Sequence, residues 1–251
     1  MAQLNQKVAI VTGAAGGFGE GIARAYVAEG ARVVVADLNG PAAAHVAQEL
    51  GVQASPFTCD VSNGPQVHAL VAHCMRTFGV PDIVVNNAGT THRNQPMLQV
   101  DEASFDRVFA VNVKSIYHMT QAVLPLLRER GRGGVILNIG STAGIRPRPG
   151  LSWYNASKGA VNVLSKSMAV ELAPEQIRVN AICPVMGVTG LFEQFMGLPD
   201  TPENRARFVS TIPLGRFSQP SDVAAVAVFL GSDAAEFITG VEFPVDGGRT
   251  I

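Results

Sequence analysis

The sequence predicts an α/β fold, a doubly wound parallel seven-stranded sheet with helices on both faces. Three observations predict it. Short apolar runs alternate with longer helical patterns along the chain. The runs are apolar at consecutive positions, as strands buried on both faces must be. A glycine-rich turn, T-G-A-A-G-G-F-G at 12–19, joins the first run to the first helical pattern.

Each element has its own signal. Val8-Ala9-Ile10-Val11 is a fully apolar run stopped by Thr12-Gly13, hence a buried strand. Residues 17–29 read as a helix, and Val33-Val34-Val35-Ala36 as a second strand ended by Asp37. A helix over 40–50 carries Pro41 in its first turn, where the missing N–H costs nothing. A third strand near 53–58, a helix over 64–78 and the strand Ile83-Val84-Val85 follow. Residues 102–129 are mostly helical, with a kink or break expected at Pro125. Val135 to Ile139 is the fifth strand, 152–173 a helix and Ile177 to Ile182 the sixth strand. A helix over 220–231 and a strand near 241–245 close the chain. No repeat or linker interrupts the pattern, so the 251 residues read as one domain. The long irregular stretch at 184–214, rich in Gly, Pro, Met and Phe, is the expected substrate lid.

Composition excludes several classes of function. At 47% hydrophobic and 16% charged residues the chain is not disordered. A formal charge of −1 gives no reason to expect nucleic acid or an anionic membrane as partner. Cys59, Cys74 and Cys183 are sparse and odd in number, which fits reduced thiols in a cytoplasmic protein. No His/Asp/Glu cluster suggests a metal. The N-terminus lacks a signal-peptide pattern, and no apolar run approaches the ~20 residues of a membrane span.

The glycine turn points to a dinucleotide. Gly13, Gly16, Gly17 and Gly19 permit a tight turn and close backbone approach to a pyrophosphate. The helix that follows offers free N–H groups and the positive end of its dipole. Phe18 lies within the turn. Asp37 ends the second strand, where a carboxylate accepts both hydroxyls of an adenine ribose and repels a 2′-phosphate. Leu38 follows it and no basic residue lies beside it, so NAD is expected over NADP.

These motifs, with those that follow, resemble the short-chain dehydrogenase/reductase family in its compact, Rossmann-like form of about 250 residues, over nearly the whole chain. T-G-x-x-x-G-x-G is met by Thr12, Gly13, Gly17 and Gly19, and the family's Asp-Val by Asp60-Val61, implied to bracket the adenine. N-N-A-G is Asn86-Asn87-Ala88-Gly89, with Asn87 implied to meet the cofactor backbone. The helix asparagine matches Asn112, the serine after the fifth strand Ser141, and Y-x-x-x-K Tyr154 and Lys158. P-G-x-x-x-T matches Pro184 and Thr189, with Val185 standing in place of the glycine, and V-D-G-G is 245–248. After N-N-A-G, Thr90-Thr91-His92 replaces the T-R-D common in the carrier-protein reductases of the family.

Tyr154 and Lys158, four apart, share one helix face. A free phenol with pKa ~10 is a poor base near neutrality. A lysine cation together with a positive nicotinamide favours the phenolate. Tyr154 is thereby expected to exchange the alcohol proton as hydride moves, with Ser141 bonding the same substrate oxygen. The resemblance implies that Lys158 also contacts the nicotinamide ribose and that Asn112 holds a water linking Lys158 to solvent. It implies a homotetramer too, with 102–129 and 152–173 at one interface. The expected reaction interconverts a secondary alcohol and its ketone. The alternatives are a 3-oxoacyl-[acyl-carrier-protein] reductase using NADPH and a non-catalytic nucleotide sensor. At the substrate end, Leu191, Phe192, Phe195 and Met196 share a face of a short helix that would close over an apolar substrate. Arg146 or Arg148 is a candidate ligand for a carboxylate or phosphate. His92 and Arg93 lie toward the expected mouth.

Overall fold

The computed structural model describes residues 2–187 and 192–251. Seven parallel strands form one sheet: β1 (Val8–Thr12), β2 (Arg32–Asp37), β3 (Ala54–Thr58), β4 (Ile83–Asn86), β5 (Gly134–Ile139), β6 (Ile177–Pro184) and β7 (Glu242–Val245). Their spatial order is β3-β2-β1-β4-β5-β6-β7. The chain therefore winds outward from β1 in one direction, then returns to β4 and winds the other way. That reversal opens a crevice beyond the carboxyl ends of β1 and β4.

The consecutive apolar runs are explained by the pleat, which sends alternate side chains to opposite faces. Ala9, Val11, Val33, Val35, Ile83, Val85 and Leu137 enter one core. Val8, Ile10, Val34, Ala36, Val84 and Ile136 enter the other. Helices α1 (Gly17–Ala28), α2 (Gly40–Leu50) and α9 (Pro220–Gly231) cover the first face. Helices α3 (Gly64–Thr77), α5 (Ser115–Arg130) and α6 (Ser152–Leu172) cover the second. Asn39 caps α2 by accepting from the Ala42 amide at 3.2 Å, with Pro41 in the first turn as its fixed φ favours. Fully buried Tyr26 ties α1 to α9 by donating to the Ala227 carbonyl at 3.0 Å, which holds the helix behind the glycine turn.

Two elements differ from expectation. The 102–129 stretch does not break at Pro125, which sits inside α5. It runs on without interruption and widens at a π-helical turn, Ala110–Lys114, between α4 (Glu102–Phe109) and α5. The irregular stretch holds two short helices, α7 (Phe192–Met196) and α8 (Pro202–Val209). Phe208 stacks on Phe217 at 5.6 Å and 4°, and Phe192 meets Phe217 edge-on at 6.2 Å. With buried Val185 and Ile212, Phe208 gives this segment a small apolar core of its own.

Candidate active site

A cleft of about 800 Å³ runs along the carboxyl ends of the strands. Its lining follows strand order. Cys59, Asp60 and Val61 come after β3, Asp37 and Leu38 from the end of β2, and Gly13 and Gly17 after β1. Asn87 to Thr91 follow β4, Gly140 and Ser141 follow β5, and Pro184 to Gly187 lie at and after the end of β6. Five intervals between neighbouring strands make the cleft about 24 Å long at ~4.8 Å per interval. A crevice of this kind, at the reversal of strand order, is where such sheets bind dinucleotides.

At the glycine turn, Gly13 has φ +63°, and a Cβ there would come within 2.9 Å of the Ala88 backbone. A Cβ on Gly19 would collide with the Gly13 carbonyl and the Asn87 amide. The two glycines let α1 and the β4 loop close against the turn, so the α1 N-terminus faces the cleft. Thr12 and Asn87 rivet this corner. Thr12 Oγ1 accepts from the Asn87 and Ala88 amides, each at 3.1 Å. Asn87 Nδ2 donates to the Thr12 and Gly13 carbonyls at 2.8 and 2.9 Å. Its two amide protons are thus spent on the turn, leaving only its oxygen to address a ligand. Asp37 Oδ2 accepts from the Ala15 amide at 3.0 Å and Oδ1 from the Asn39 amide at 2.9 Å. Each oxygen keeps a lone pair for a further donor.

The chemical end gathers Ser141, Tyr154 and Lys158 on one wall. Buried Ser141 accepts from the Ala143 amide at 3.0 Å, which fixes its oxygen and leaves its O–H to donate. Buried Lys158 donates from Nζ to the Ile139 carbonyl at 2.8 Å. Burial pushes its ammonium down to about 8. Tyr154 meets Phe195 edge-on at 5.6 Å. Burial pushes its phenol up, and the Ser141 hydroxyl draws it partly back. The expected phenolate rests on the lysine cation acting together with a nicotinamide cation. The protein alone does not lower the phenol, because desolvation outweighs what its own groups supply.

Asn112 lies behind this wall in the π turn. Its Oδ1 accepts from the Thr90 amide at 2.8 Å, and Nδ2 donates to the Thr90 carbonyl and Ser157 Oγ, each at 2.9 Å. The wider turn is what brings a side chain from the α4–α5 rod onto both the β4 loop and α6. Below it, Asn86, Asn138 and Ser165 form a buried chain of hydrogen bonds at 2.8 and 2.9 Å from β4 through β5 to α6.

Residues 13–250 match the family model described as Enoyl-(Acyl carrier protein) reductase. A 4-formylbenzenesulfonate dehydrogenase of Comamonas testosteroni is 51% identical, with 99% of each chain covered. A galactitol 2-dehydrogenase of Agrobacterium fabrum is 38% identical, with 98% of each covered. The crystal structure of a 3-ketoacyl-(acyl-carrier-protein) reductase from Brucella melitensis, complexed with NADH, superposes with a TM-score of 0.93. It is 44% identical and covers 99% of this chain and 100% of that one. The chain belongs to the short-chain dehydrogenase/reductase family.

This short-chain dehydrogenase/reductase is an NAD(P)-dependent oxidoreductase. Its cleft is lined by Gly13, Gly17, Phe18, Asp37, Leu38, Asp60, Val61, Asn87, Ala88, Gly89, Ser141, Tyr154, Lys158 and Pro184, all singled out from the sequence. Gly19 and Asn112 stand behind the lining, and Thr189 lies outside the described residues. His92 is buried and Arg93 exposed, and neither reaches the cleft. Val185 adopts no left-handed backbone, since among the described residues the non-glycine positive φ values belong to Gln6 and Gln176. A valine is therefore unstrained there, and its amide donates to the Val245 carbonyl at 3.1 Å. The proposed apolar face of α7 divides: Phe195 lines the cleft, whereas Phe192 turns toward Phe217. Leu191 lies outside the described residues. Arg107, Val111 and Met186 also line the cleft and carry no sequence motif that announces them. Among the described residues no three His, Cys, Asp or Glu side chains converge as metal ligands, and no helix is long and apolar enough to cross a membrane.

Proposed function

We propose that this chain interconverts a secondary alcohol and its ketone, preferring NAD, with Tyr154 as general acid/base. One observation carries the reading: Ser141, Tyr154 and Lys158 meet on one wall of a cleft whose far end holds Asp37. Gly13, Gly17 and Gly19 with the α1 N-terminus would hold the pyrophosphate, Asp37 the adenine ribose, and Asp60 and Val61 the adenine edge. NAD, when bound, supplies the hydride chemistry. Ser141 donates to the substrate oxygen and fixes it beside the phenol. The Lys158 ammonium, with a nicotinamide cation beside it, reverses the upward push of burial on Tyr154. Asn112 acts as a positioning residue through Thr90 and Ser157. The 184–214 stretch would act as a lid on a single domain, with Phe195 over the reacting end and Pro184 toward the nicotinamide. We place the enzyme in the cytoplasm as a homotetramer. Tyr117, Val163 and Val170 leave apolar side chains exposed on α5 and α6, where one interface would form. Sedimentation at a mass of one chain across micromolar concentrations would overturn the tetramer.

The preference for NAD rests on charge. The basic residues of the lining, Arg107 and Lys158, belong to α4 and α6 and not to the β2–β3 end. A 2′-phosphate would meet the Asp37 carboxylate with no cation in the lining beside it. Asp37→Ala is expected to reduce the NAD-over-NADP ratio of kcat/KM by roughly 10- to 100-fold, the loss of charged hydrogen bonds plus the relief of repulsion. An unchanged ratio would assign the choice to another group. Titrating the parent protein with NADH and NADPH by fluorescence tests the reading directly, followed by a panel of secondary alcohols. Tighter NADPH binding would move a 3-oxoacyl-[acyl-carrier-protein] reductase to the front, an activity named for the NADH-complexed Brucella melitensis structure. A non-catalytic sensor would have no need of Ser141, Tyr154 and Lys158 together.

A further inference from the structure

Beside the reacting end of the cleft lies a cluster of three arginines that the proposed chemistry does not use. A small crevice lined by Thr142, Arg146, Arg148 and Arg249 shares Val185, Met186 and Phe195 with the cleft. Among the described residues none of the three arginines forms an ion pair with a carboxylate. The carboxylate acting on Arg249 is that of Asp246, whose oxygens already accept from the Gly248 and Thr250 amides and from Thr250 Oγ1. Arg146 donates to the Arg249 carbonyl at 2.8 Å, which gathers the like charges.

Arg148 is the member built into the wall. Its guanidinium lies 5.1 Å from the Phe195 ring centre and 4.6 Å from that of Phe208, so its faces rest on aromatic carbon. Asn155 Nδ2, one residue beyond Tyr154 in α6, donates to the Arg148 carbonyl at 2.8 Å and fixes its backbone. Its edge is unsatisfied. Nη1 is buried with no hydrogen-bond partner among the described residues, and Nη2 donates at 3.4 Å to the Met196 thioether, a weak acceptor. Desolvation, with Arg249 nearby, pushes this guanidinium down to about 10. A half-buried cation whose buried Nη1 lacks a partner among the described residues calls for an explanation. Phe195 supplies the link, since one ring touches both the Tyr154 phenol and the Arg148 guanidinium.

We propose that Arg148, supported by the charges of Arg146 and Arg249, is a specificity subsite for a sulfonate or carboxylate carried on an aromatic alcohol or ketone that reacts at Tyr154. This rests on the oxidoreductase reading. The crevice as it stands holds only about 10 Å³, so the anion would enter by displacing the Met196 thioether from Nη2 and would then take the Nη1 donor, while the substrate ring packs on Phe195. Met186 and Met196, unbranched and adaptable, allow the wall to fit it.

The test compares 1-phenylethanol with 4-(1-hydroxyethyl)benzenesulfonate and 4-(1-hydroxyethyl)benzoate, in the parent, Arg148→Met and Arg148→Lys. The parent should favour one anionic alcohol over the neutral one by roughly 10-fold or more in kcat/KM. The larger preference identifies the anion. Arg148→Met should lower that anionic-to-neutral ratio by about 10- to 100-fold through KM, and Arg148→Lys should restore part of it. Equal use of neutral and anionic alcohols by the parent, or an unchanged ratio in Arg148→Met, would overturn the subsite. Calorimetric titration of benzenesulfonate and benzoate into NADH-loaded protein separates the two layers of the proposal. Binding that Arg148→Met abolishes supports the subsite even where no alcohol is oxidised, a result that would instead count against the oxidoreductase reading. Absence of binding of either anion by the parent overturns the subsite alone.

Discussion

Tyr154→Phe is expected to bind NADH within about threefold of the parent and to lose roughly 10²- to 10⁴-fold in kcat. The substitution removes one hydroxyl and keeps the ring. The edge-on contact with Phe195 and the helical frame of α6 therefore survive. What disappears is the group that exchanges a proton with the substrate oxygen while hydride moves. Ser141 cannot take over, because a serine hydroxyl is a far weaker acid than a phenol and its oxygen is already engaged by the Ala143 amide. NADH fluorescence titration and single-turnover kinetics separate binding from chemistry. Retention of parental turnover would assign the proton to another group. Loss of NADH binding by the same factor as turnover would show that the variant had damaged the cleft instead.

The layers of the fold were legible because strands buried on both faces read as unbroken apolar runs, and β1 ends in a turn whose spacing serves one kind of ligand. Val8 to Val11 and Val33 to Ala36 gave their strands to within a residue or two at each end. Less legible was anything decided by contacts across the chain. The 102–129 helix departs from α geometry at the π turn, where Asn112 reaches both Thr90 and Ser157, a demand no local pattern expresses. Asn87 carries a motif, yet its amide protons go to the protein backbone, a choice made by the approach of the β4 loop to the glycine turn. Helical spacing grouped Phe192 with Phe195 on one face, but Phe217, more than twenty positions on, draws Phe192 away from the cleft. The unpaired edge of Arg148 depends on α6, α7 and α8 together and has no signature in the I-R-P-R-P stretch where it lies.

Lys158→Met should lower turnover by roughly 10²- to 10³-fold, the scale for removing a preorganised charge, while raising the stability of the cofactor-free protein. The second effect follows from the direction in which burial moves the lysine. Its pKa falls from 10.5 to about 8. At about 1.4 kcal/mol per unit, holding the charge in the folded chain costs on the order of 3 kcal/mol at neutral pH. Methionine removes that cost but leaves the Ile139 carbonyl without its donor, a loss of about 1 kcal/mol or more. The net gain is about 1–2 kcal/mol, which calorimetry would read as a rise of a few degrees in Tm for a chain of this size. The sign also fixes the pH dependence. Below about 8 the lysine is charged in both folded and unfolded chains, and the variant keeps its full advantage. Between about 8 and 10.5 the folded parent sheds the proton that the unfolded chain still holds, so the parent gains stability as pH rises. The advantage of Lys158→Met should therefore shrink across that window. A constant difference from pH 7 to 10, or a variant less stable than its parent at pH 7, would mean that this ammonium is not held against its own desolvation. A stability gain that comes with lost turnover would identify the buried charge as a cost borne for catalysis, since the fold alone would be better served without it.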